Sequence, residues 1–156
     1  MRAKLFLIFS GVIILIFLGM IAQKQYVLAK GKTFYMELAP VDPRSLMQGD
    51  YMALNYRINT NTVNPNKKDY VCLILDSKSI GRHLEDLISE KCTGDAVWLK
   101  VYKKRYGYRL APESFFFQEG YAKLYDNAKY AVLKADGKGG VVLKDLAGAD
   151  LKEIHP

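Results

Sequence analysis

Two cysteines and two histidines are the residues of this 156-residue chain whose chemistry can be judged from spacing alone. Cys72 and Cys92 lie about twenty residues apart, so they could form a disulfide in an oxidising compartment. Two buried, reduced thiols are the alternative. His83 and His155 have no metal-like spacing with each other or with the cysteines, and there is no CxxC pair. The sequence therefore predicts no metal site and leaves the state of the cysteines open.

The segment PESFFFQEG places two carboxylates around three consecutive phenylalanines. Glu113 and Glu119 could act as a general acid and base only if the fold brought them together, which their spacing does not establish. Phe115, Phe116 and Phe117 cannot all be buried on one face of a strand, because side chains alternate between faces. Burial on both faces is the simpler interpretation. An exposed phenylalanine would instead mark an interaction surface.

A basic stretch follows residue 99, and tyrosines are interleaved with its cations. This composition could bind nucleic acid, or an anionic glycan or lipid. A solvated hairpin with cross-strand packing is the simpler interpretation, so no nucleic-acid partner is predicted. The cations are Lys100, Lys103, Lys104, Arg105 and Arg109, and the tyrosines are Tyr102, Tyr106 and Tyr108. No glycine-rich phosphate loop is present, and no cofactor is predicted.

The segment GDYMALNY, residues 49–56, combines a turn signal with a strand. Gly49 can adopt the positive φ that a sharp turn requires, and Asp50 can accept backbone hydrogen bonds or pair with a cation. Tyr51 would face away from Leu54 and Tyr56, whose shared face predicts a core position with a hydrogen-bonded tyrosine hydroxyl. The segment is either a strand entry that sets the register or part of a binding surface.

All five fixed positions of GDYMALNY resemble the signature of the bacterial GDYXXLXY family. The segments PRSLMQ and PESFFFQEG are also similar to family segments, and the likeness covers most of residues 35–146. The resemblance implies a small membrane-associated protein, because that is what the family members are, and they have no established biochemical activity. Some of them are found beside polytopic membrane proteins, which implies an integral membrane partner.

A second resemblance is to type I signal peptidases, whose SMxPTLxxGDxV pattern is similar to PRSLMQGDYMAL. Aligning the Gly-Asp pair puts Val41 where those enzymes have their nucleophilic serine, and Ser45 is displaced by four residues. The resemblance implies an alternative function, a serine peptidase-like hydrolase in which Ser45 would act with Lys100 or Lys103. Because the serine position is not matched, the sequence favours a non-enzymatic protein, and no catalytic residue is assigned.

The N-terminal part of the chain has the sequence of a membrane anchor, which would hold the segments described above next to a membrane. Residues 5–22 contain no charge, and at 1.5 Å per residue they cover about 27 Å, close to the hydrocarbon thickness of a bilayer. A cleaved signal is the alternative, but the run is longer than a signal core and its small-residue cleavage site is poorly formed. We therefore expect residues 1–32 to be an uncleaved anchor and linker, and residues 33–156 to be one domain.

The net charge of +7 is concentrated near this anchor. Residues 1–32 carry five basic side chains and no acid, which leaves 18 of the 23 basic and all 16 acidic side chains for residues 33–156, a net +2. Basic flanks suit anionic lipid headgroups. A short basic N-terminal tail usually stays inside, which predicts a single-pass protein of the cytoplasmic (inner) membrane with an extracytoplasmic, periplasmic domain.

The domain pattern predicts about seven strands and one short helix. Alternating or continuous apolar segments indicate strands, and DGKGG is a strong hairpin signal. The predicted strands are 33–39, 51–58, 70–76, 95–103, 105–110, 129–136 and 140–146, and residues 120–130 have helical spacing. Short connections predict a mainly β (α+β) fold, an antiparallel sheet or partly closed barrel.

Together these features predict a membrane-tethered extracytoplasmic interaction module. Its expected partners are the lipid bilayer and an integral membrane protein of the bacterial envelope. The predicted surface joins the loop that leads into GDYMALNY to the PESFFFQEG segment. Its residues are Arg44, Gly49, Asp50, Tyr51, Glu113, Phe116 and Glu119. Leu54 and Tyr56 are expected to be structural.

Overall fold

The protein consists of one long N-terminal helix followed by a β-rich domain. The structure, a computed structural model, describes residues 2–39, 47–48, 51–58, 70–86, 92, 94–105 and 108–155. The helix, α1, extends from Arg2 to Lys30. Its large apolar side chains from Phe6 to Tyr26 are exposed, and only its last turn, at Val27, is packed against the domain. The part Phe6–Lys30 is long and apolar enough to cross a membrane, although a signal sequence would satisfy the same criteria.

The described part of the domain contains eleven short strands and one 3₁₀ turn, at Ala122–Leu124. The strands are β1 Lys32–Glu37, β2 Met47–Gln48, β3 Tyr51–Ala53, β4 Tyr70–Leu75, β5 Gly81–Asp86, β6 Ala96–Lys100, β7 Tyr102–Lys103, β8 Tyr108–Arg109, β9 Ser114–Phe116, β10 Tyr130–Ala135 and β11 Val141–Ala147.

These strands form three three-stranded sheets and one two-stranded hairpin. The strand orders are β1-β10-β11, β2-β3-β9, β5-β4-β6 and β7-β8, and every pairing between named strands is antiparallel. The predicted mainly β fold behind one apolar helix is thus confirmed. The described residues form open sheets and not a closed barrel.

One core joins the sheets. The central strands β4 and β10 are the most apolar, and each is covered on both faces along most of its length, which explains their near-continuous hydrophobic sequences. Phe34, Met36, Leu73, Leu99 and Leu133 are among the fully buried side chains of this core.

Cys72 in β4 and Cys92 form a disulfide with a Cα–Cα distance of 5.6 Å. The bond closes a twenty-residue separation between the strand and the chain that follows β5. Both cysteines of the chain are therefore consumed, and neither thiol is free.

Three segments differ in detail from the sequence prediction. The predicted strand 51–58 ends at Ala53, and beyond it only Tyr56 forms an isolated bridge, with Leu38. The predicted strand 95–103 is interrupted at Val101 and becomes β6 and β7. The helical spacing of residues 120–130 yields a single 3₁₀ turn, because helix nucleation is costly and the segment is too short to recover that cost. The sequence of residues 83–89 is compatible with either a strand or a short helix, and residues 83–86 belong to β5.

Candidate interaction surface

The predicted surface has its described centre where β3 pairs with β9. The register places Tyr51 opposite Phe116 and Met52 opposite Phe115. The ring centroids of Tyr51 and Phe116 are 5.8 Å apart at an interplanar angle of 42°. Two segments that are sixty residues apart in sequence therefore contribute to one aromatic pair.

The three phenylalanines divide between the two faces of β9. Phe115 and Phe117 pack on Tyr125, with centroid distances of 5.0 and 5.4 Å. Phe116 points the other way, and 74% of its surface is exposed. Burial of all three, the simpler interpretation of the sequence, is therefore wrong for Phe116. Strand alternation requires that outcome once Phe115 is turned toward the core.

Leu54 and Tyr56 hold this pairing in place. Leu54 is buried, and its backbone N–H donates to the carbonyl of Glu113 at 2.8 Å. The hydroxyl of Tyr56 donates to the carbonyl of Pro112. Burial, reinforced by the nearby Glu113 carboxylate, raises the pKa of Tyr56. The hydroxyl therefore remains protonated and keeps donating. The backbone of Leu54 and the side chain of Tyr56 thus connect the residues after β3 to the segment that leads into β9.

The outer edge of β9 is open among the described residues, because β9 ends the sheet order β2-β3-β9. The hydrogen bond between Leu54 and Glu113 marks a hydrogen-bonded pair, so the alternation of an antiparallel ladder makes Ser114 and Phe116 members of non-hydrogen-bonded pairs. Their backbone N–H and C=O groups consequently point away from β3. They form the kind of edge to which an extended segment can add.

A cleft of about 250 Å³ lies beside this surface. Its lining includes the apolar side chains of Met36, Leu54 and Leu110 and the charged residues Arg109 and Glu113. Glu113 forms an ion pair with Lys104, and the guanidinium of Arg109 lies 4.9 Å from the ring centroid of Tyr102.

The two glutamates of PESFFFQEG have different surroundings. Glu113 is engaged by Lys104 and borders the cleft, whereas Glu119 is exposed to solvent beyond β9. Arg44, Gly49 and Asp50, which complete the predicted surface, lie outside the described residues, as do Val41 and Ser45.

Three side chains of the kinds that bind metal ions lie close together near residue 155, and the sequence did not predict this cluster. The bridge between Ala147 and Glu153 folds the last residues back onto β11 and brings Asp145, Glu153 and His155 together, with ligand atoms within 4.8 Å of one another. Lys144 already contacts both oxygens of Glu153, at 2.5 and 2.7 Å. The Nδ1 atom of His155 is 3.0 Å from Asp145 Oδ2. These contacts describe an ion-pair network.

Burial is the main influence on Asp145 within this network. It raises the pKa of the carboxyl group, against the opposing effects of the Leu146 N–H and of His155. The contact between Asp145 and His155 could not be predicted from their ten-residue spacing. It forms because the residues after β11 fold back and pair with it through the Ala147–Glu153 bridge.

The chain matches the family described as GDYXXLXY protein over residues 13–146, which is most of its length. The chain belongs to the GDYXXLXY family. No curated protein and no solved structure matches it.

The contacts above give the GDYXXLXY signature a physical meaning in this chain. The ring of its first tyrosine, Tyr51, packs against the ring of Phe116. Its leucine, Leu54, is buried in the core. The hydroxyl of its last tyrosine, Tyr56, donates a hydrogen bond to the Pro112 carbonyl, shortly before β9. The described part of the signature therefore holds the segment before β9 in place and contributes Tyr51 to the Tyr51–Phe116 pair. Leu54 and Tyr56 have the structural contacts expected of a strand entry, whereas a binding role for the motif stays a prediction.

Proposed function

We propose that this GDYXXLXY protein is a membrane-tethered, extracytoplasmic interaction module that binds an integral membrane protein through the Tyr51–Phe116 surface. The exposure of Phe116 carries the proposal. Fully burying a phenylalanine side chain is worth about 1.5–3 kcal/mol, so an ordered strand that leaves it in water forgoes that stabilisation. Binding a partner would recover it, and aromatic anchors of this kind commonly dominate interfaces.

The open edge of β9 supports a specific mode of binding. An extended segment of the partner would pair with the outward backbone groups of Ser114 and Phe116, and its side chains would cover the aromatic pair. This mode obtains affinity from main-chain hydrogen bonds and specificity from neighbouring side chains. The exposed Glu119 lies beyond the end of the strand, where it can contribute to orientation.

The proposed location is the cytoplasmic membrane of a bacterial cell, with the N-terminus inside and the domain in the periplasm. Two features support it. The short tail before the apolar run carries Arg2 and Lys4, which favour the cytoplasmic side. The disulfide between Cys72 and Cys92 is a bond that persists in oxidising, extracytoplasmic compartments.

A hydrolase has no comparable support. The Ser45 that it would use lies outside the described residues. Of its two lysines, Lys103 is exposed and Lys100 lies over the ring of Tyr102, at 5.7 Å from the centroid. The interaction module therefore stands alone as the proposed function.

Site-specific photo-crosslinking in intact cells tests this function. A benzophenone amino acid replaces Phe116 in the full chain, and the control replaces Tyr102, which is also exposed but lies on the β7–β8 hairpin. We expect a defined integral membrane protein to be crosslinked from position 116 and not from position 102. Copurification of that same protein should fall about tenfold or more in Phe116→Ala, as for an interface hot spot. Equal crosslinking from both positions, or none from 116, would contradict the proposal.

A further inference from the structure

The helix and the domain meet without a linker. The helix α1 ends at Lys30 and β1 begins at Lys32, so Gly31 is the single connecting residue. Val27, one turn before the helix end, is only 6% exposed, although the apolar side chains of the preceding turns are open. The last turn of α1 is therefore packed into the domain, where the helix contacts β10 and β11.

The packing at Gly31 leaves no room for adjustment. A Cβ atom at this position would lie 2.5 Å from the carbonyl oxygen of Val27 and 2.7 Å from that of Ala135. Both are backbone atoms, which cannot move aside as a side chain can. A polar contact also connects this residue to the domain, because the Nζ of Lys134 donates to the Gly31 carbonyl at 3.3 Å. The end of α1 and Gly31 are therefore packed directly against the domain.

The length of α1 then fixes how far the domain is from the bilayer. If residues 5–22 span the hydrocarbon, residues 23–30 add eight positions, or about 12 Å of helix. The headgroup region on each side of a bilayer is about 5–7 Å thick, from about 40–45 Å of total thickness and about 30 Å of hydrocarbon. The joint at Gly31 therefore lies only just beyond the headgroups. Tyr26, which is exposed on this part of α1, has the position of an interfacial aromatic.

The domain face at this joint is the turn between β10 and β11. Because Ala135 pairs with Lys32, the turn formed by residues 136–140 lies beside the helix end. Lys138 lies in this turn, Lys134 precedes it, Lys30 and Lys32 flank Gly31, and Lys24 lies six residues before the helix end. Two aspartates lie near them, Asp95 and Asp136, so the five lysines leave a net charge of +3 on this face. Asp95 binds Lys32, and the carboxylate of Asp136 accepts the backbone N–H groups of residues 138 and 140.

We propose that this membrane-proximal face, the turn 136–140 with its five lysines, rests on the anionic headgroups of the membrane that α1 spans. The protein thereby holds its domain in one orientation on the bilayer surface. Charge complementarity and continuity with the membrane anchor identify the occupant as lipid. The inference rests on the membrane anchoring in the proposed function and is independent of any protein partner.

Two lysines at opposite ends of β10 provide a matched test. Lys129 and Lys138 are both exposed, and the seven residue-to-residue steps from 129 to 136 span about 23 Å of extended chain. The full chain is reconstituted in vesicles, and a genetically encoded fluorescent amino acid replaces one of these lysines at a time. Lipids with a nitroxide on the headgroup serve as a short-range quencher.

We expect strong quenching at position 138 and weak quenching at position 129. Quenching at 138 should increase when phosphatidylglycerol is added to phosphatidylcholine vesicles. Insertion of a glycine-serine linker between Lys30 and Gly31 should reduce the difference between the two positions. Equal quenching at 129 and 138 in the unmodified chain would overturn the fixed orientation, and quenching at 138 that is independent of phosphatidylglycerol would overturn the headgroup contact. A chain that alkaline carbonate removes from the vesicles would instead refute the anchoring, and with it the proposed function.

Discussion

The strands β10 and β9 each pair in an antiparallel ladder, but they expose their residues very differently. Along β10, Ala131, Val132 and Leu133 are completely buried, because β1 and β11 cover its edges and the core covers its faces. Along β9, the middle residue Phe115 is turned inward, whereas Ser114 and Phe116 are exposed. The first ladder uses its apolar side chains to hold the domain together. The second keeps a large apolar side chain available for contact.

This difference follows from strand position. A central strand has no open edge, and its side chains on both faces meet other layers. A terminal strand of a small sheet has one free edge, and natural proteins usually keep such edges short or polar to avoid unwanted pairing. The strand β9 is short, but it carries a phenylalanine on its solvent face. That departure from the usual protection is the feature on which the proposed binding role rests.

Truncation of one buried and one exposed side chain should give the largest contrast. Leu133→Ala removes a fully buried side chain and should lower the free energy of unfolding by about 2–5 kcal/mol. Phe116→Ala removes a larger side chain but should change it by only about 0.5 kcal/mol or less, as for other exposed positions. Urea denaturation of the full chain in detergent micelles measures both. A loss of more than 2 kcal/mol in Phe116→Ala would mean that this residue supports the fold and that the proposed surface is misassigned.

The β5-β4-β6 sheet differs from both of these sheets in having a covalent constraint, because the disulfide of Cys72 with Cys92 ties β4 to the chain after β5. Replacing Cys72 and Cys92 together with alanine should lower the free energy of unfolding by about 3 kcal/mol, the value for closing a loop of about this length. A reducing agent should destabilise the native chain by a similar amount. It should leave the double variant unchanged, which separates the effect of the bond from that of the alanines. Equal sensitivity of both chains to the reducing agent would show that the bond is not the cause.

Local signals predicted the hairpin β10–β11 well. The turn DGKGG and the flanking apolar alternation are contiguous in sequence, and a few residues suffice to encode them. The inward position of Leu54 and the hydrogen-bonded hydroxyl of Tyr56 follow in the same way from strand alternation.

The pairing of Tyr51 with Phe116 could not be predicted with the same precision. Resemblance and composition placed both residues on one surface, but sixty residues separate them, and no local pattern specifies their register. The direction in which Phe116 points depends on the hydrogen bond between Leu54 and Glu113, which sets the phase of β9. The junction at Gly31 was missed for a similar reason, since its tight contact is with the carbonyl of Ala135, more than one hundred residues away.

The β10–β11 turn contains two glycines that should respond differently to alanine. Gly139 has a φ of 92°, and a Cβ atom there would lie 2.6 Å from the ring of Tyr70 and 3.2 Å from the backbone nitrogen of Lys100. Gly137 has a φ of 74° but open space around it. Gly137→Ala should cost about 1 kcal/mol from its backbone conformation, and Gly139→Ala should cost about 2–3 kcal/mol because steric conflict is added. Thermal or urea unfolding compares them, and equal losses would show that the turn relaxes freely.

Two aspartates should give the smallest effects, with opposite dependence on pH. Hydrogen bonding from the Ile80 N–H, with help from Arg82 and the N–H of residue 78, lowers the pKa of Asp76. Its folded form binds a proton less readily than the unfolded chain, so its stabilisation is present above the unfolded pKa of about 3.9 and is lost as the pH falls through the lower folded value. Burial raises the pKa of Asp145. Its folded form binds a proton more readily, so stability declines as the pH rises from the unfolded value through the raised one.

Asparagine variants separate these two contributions, because each removes one titration and retains a similar shape. Urea midpoints of the full chain are compared between about pH 3 and pH 6, a range that brackets ordinary carboxyl pKa values. Relative to the native chain, Asp76→Asn should lose less stability on acidification, and Asp145→Asn should lose less as the pH rises. The contact between His155 and Asp145 opposes the effect of burial, so His155→Ala should steepen the decline attributed to Asp145. If Asp145→Asn instead behaves like Asp76→Asn, the ion-pair network, and not burial, controls that carboxylate.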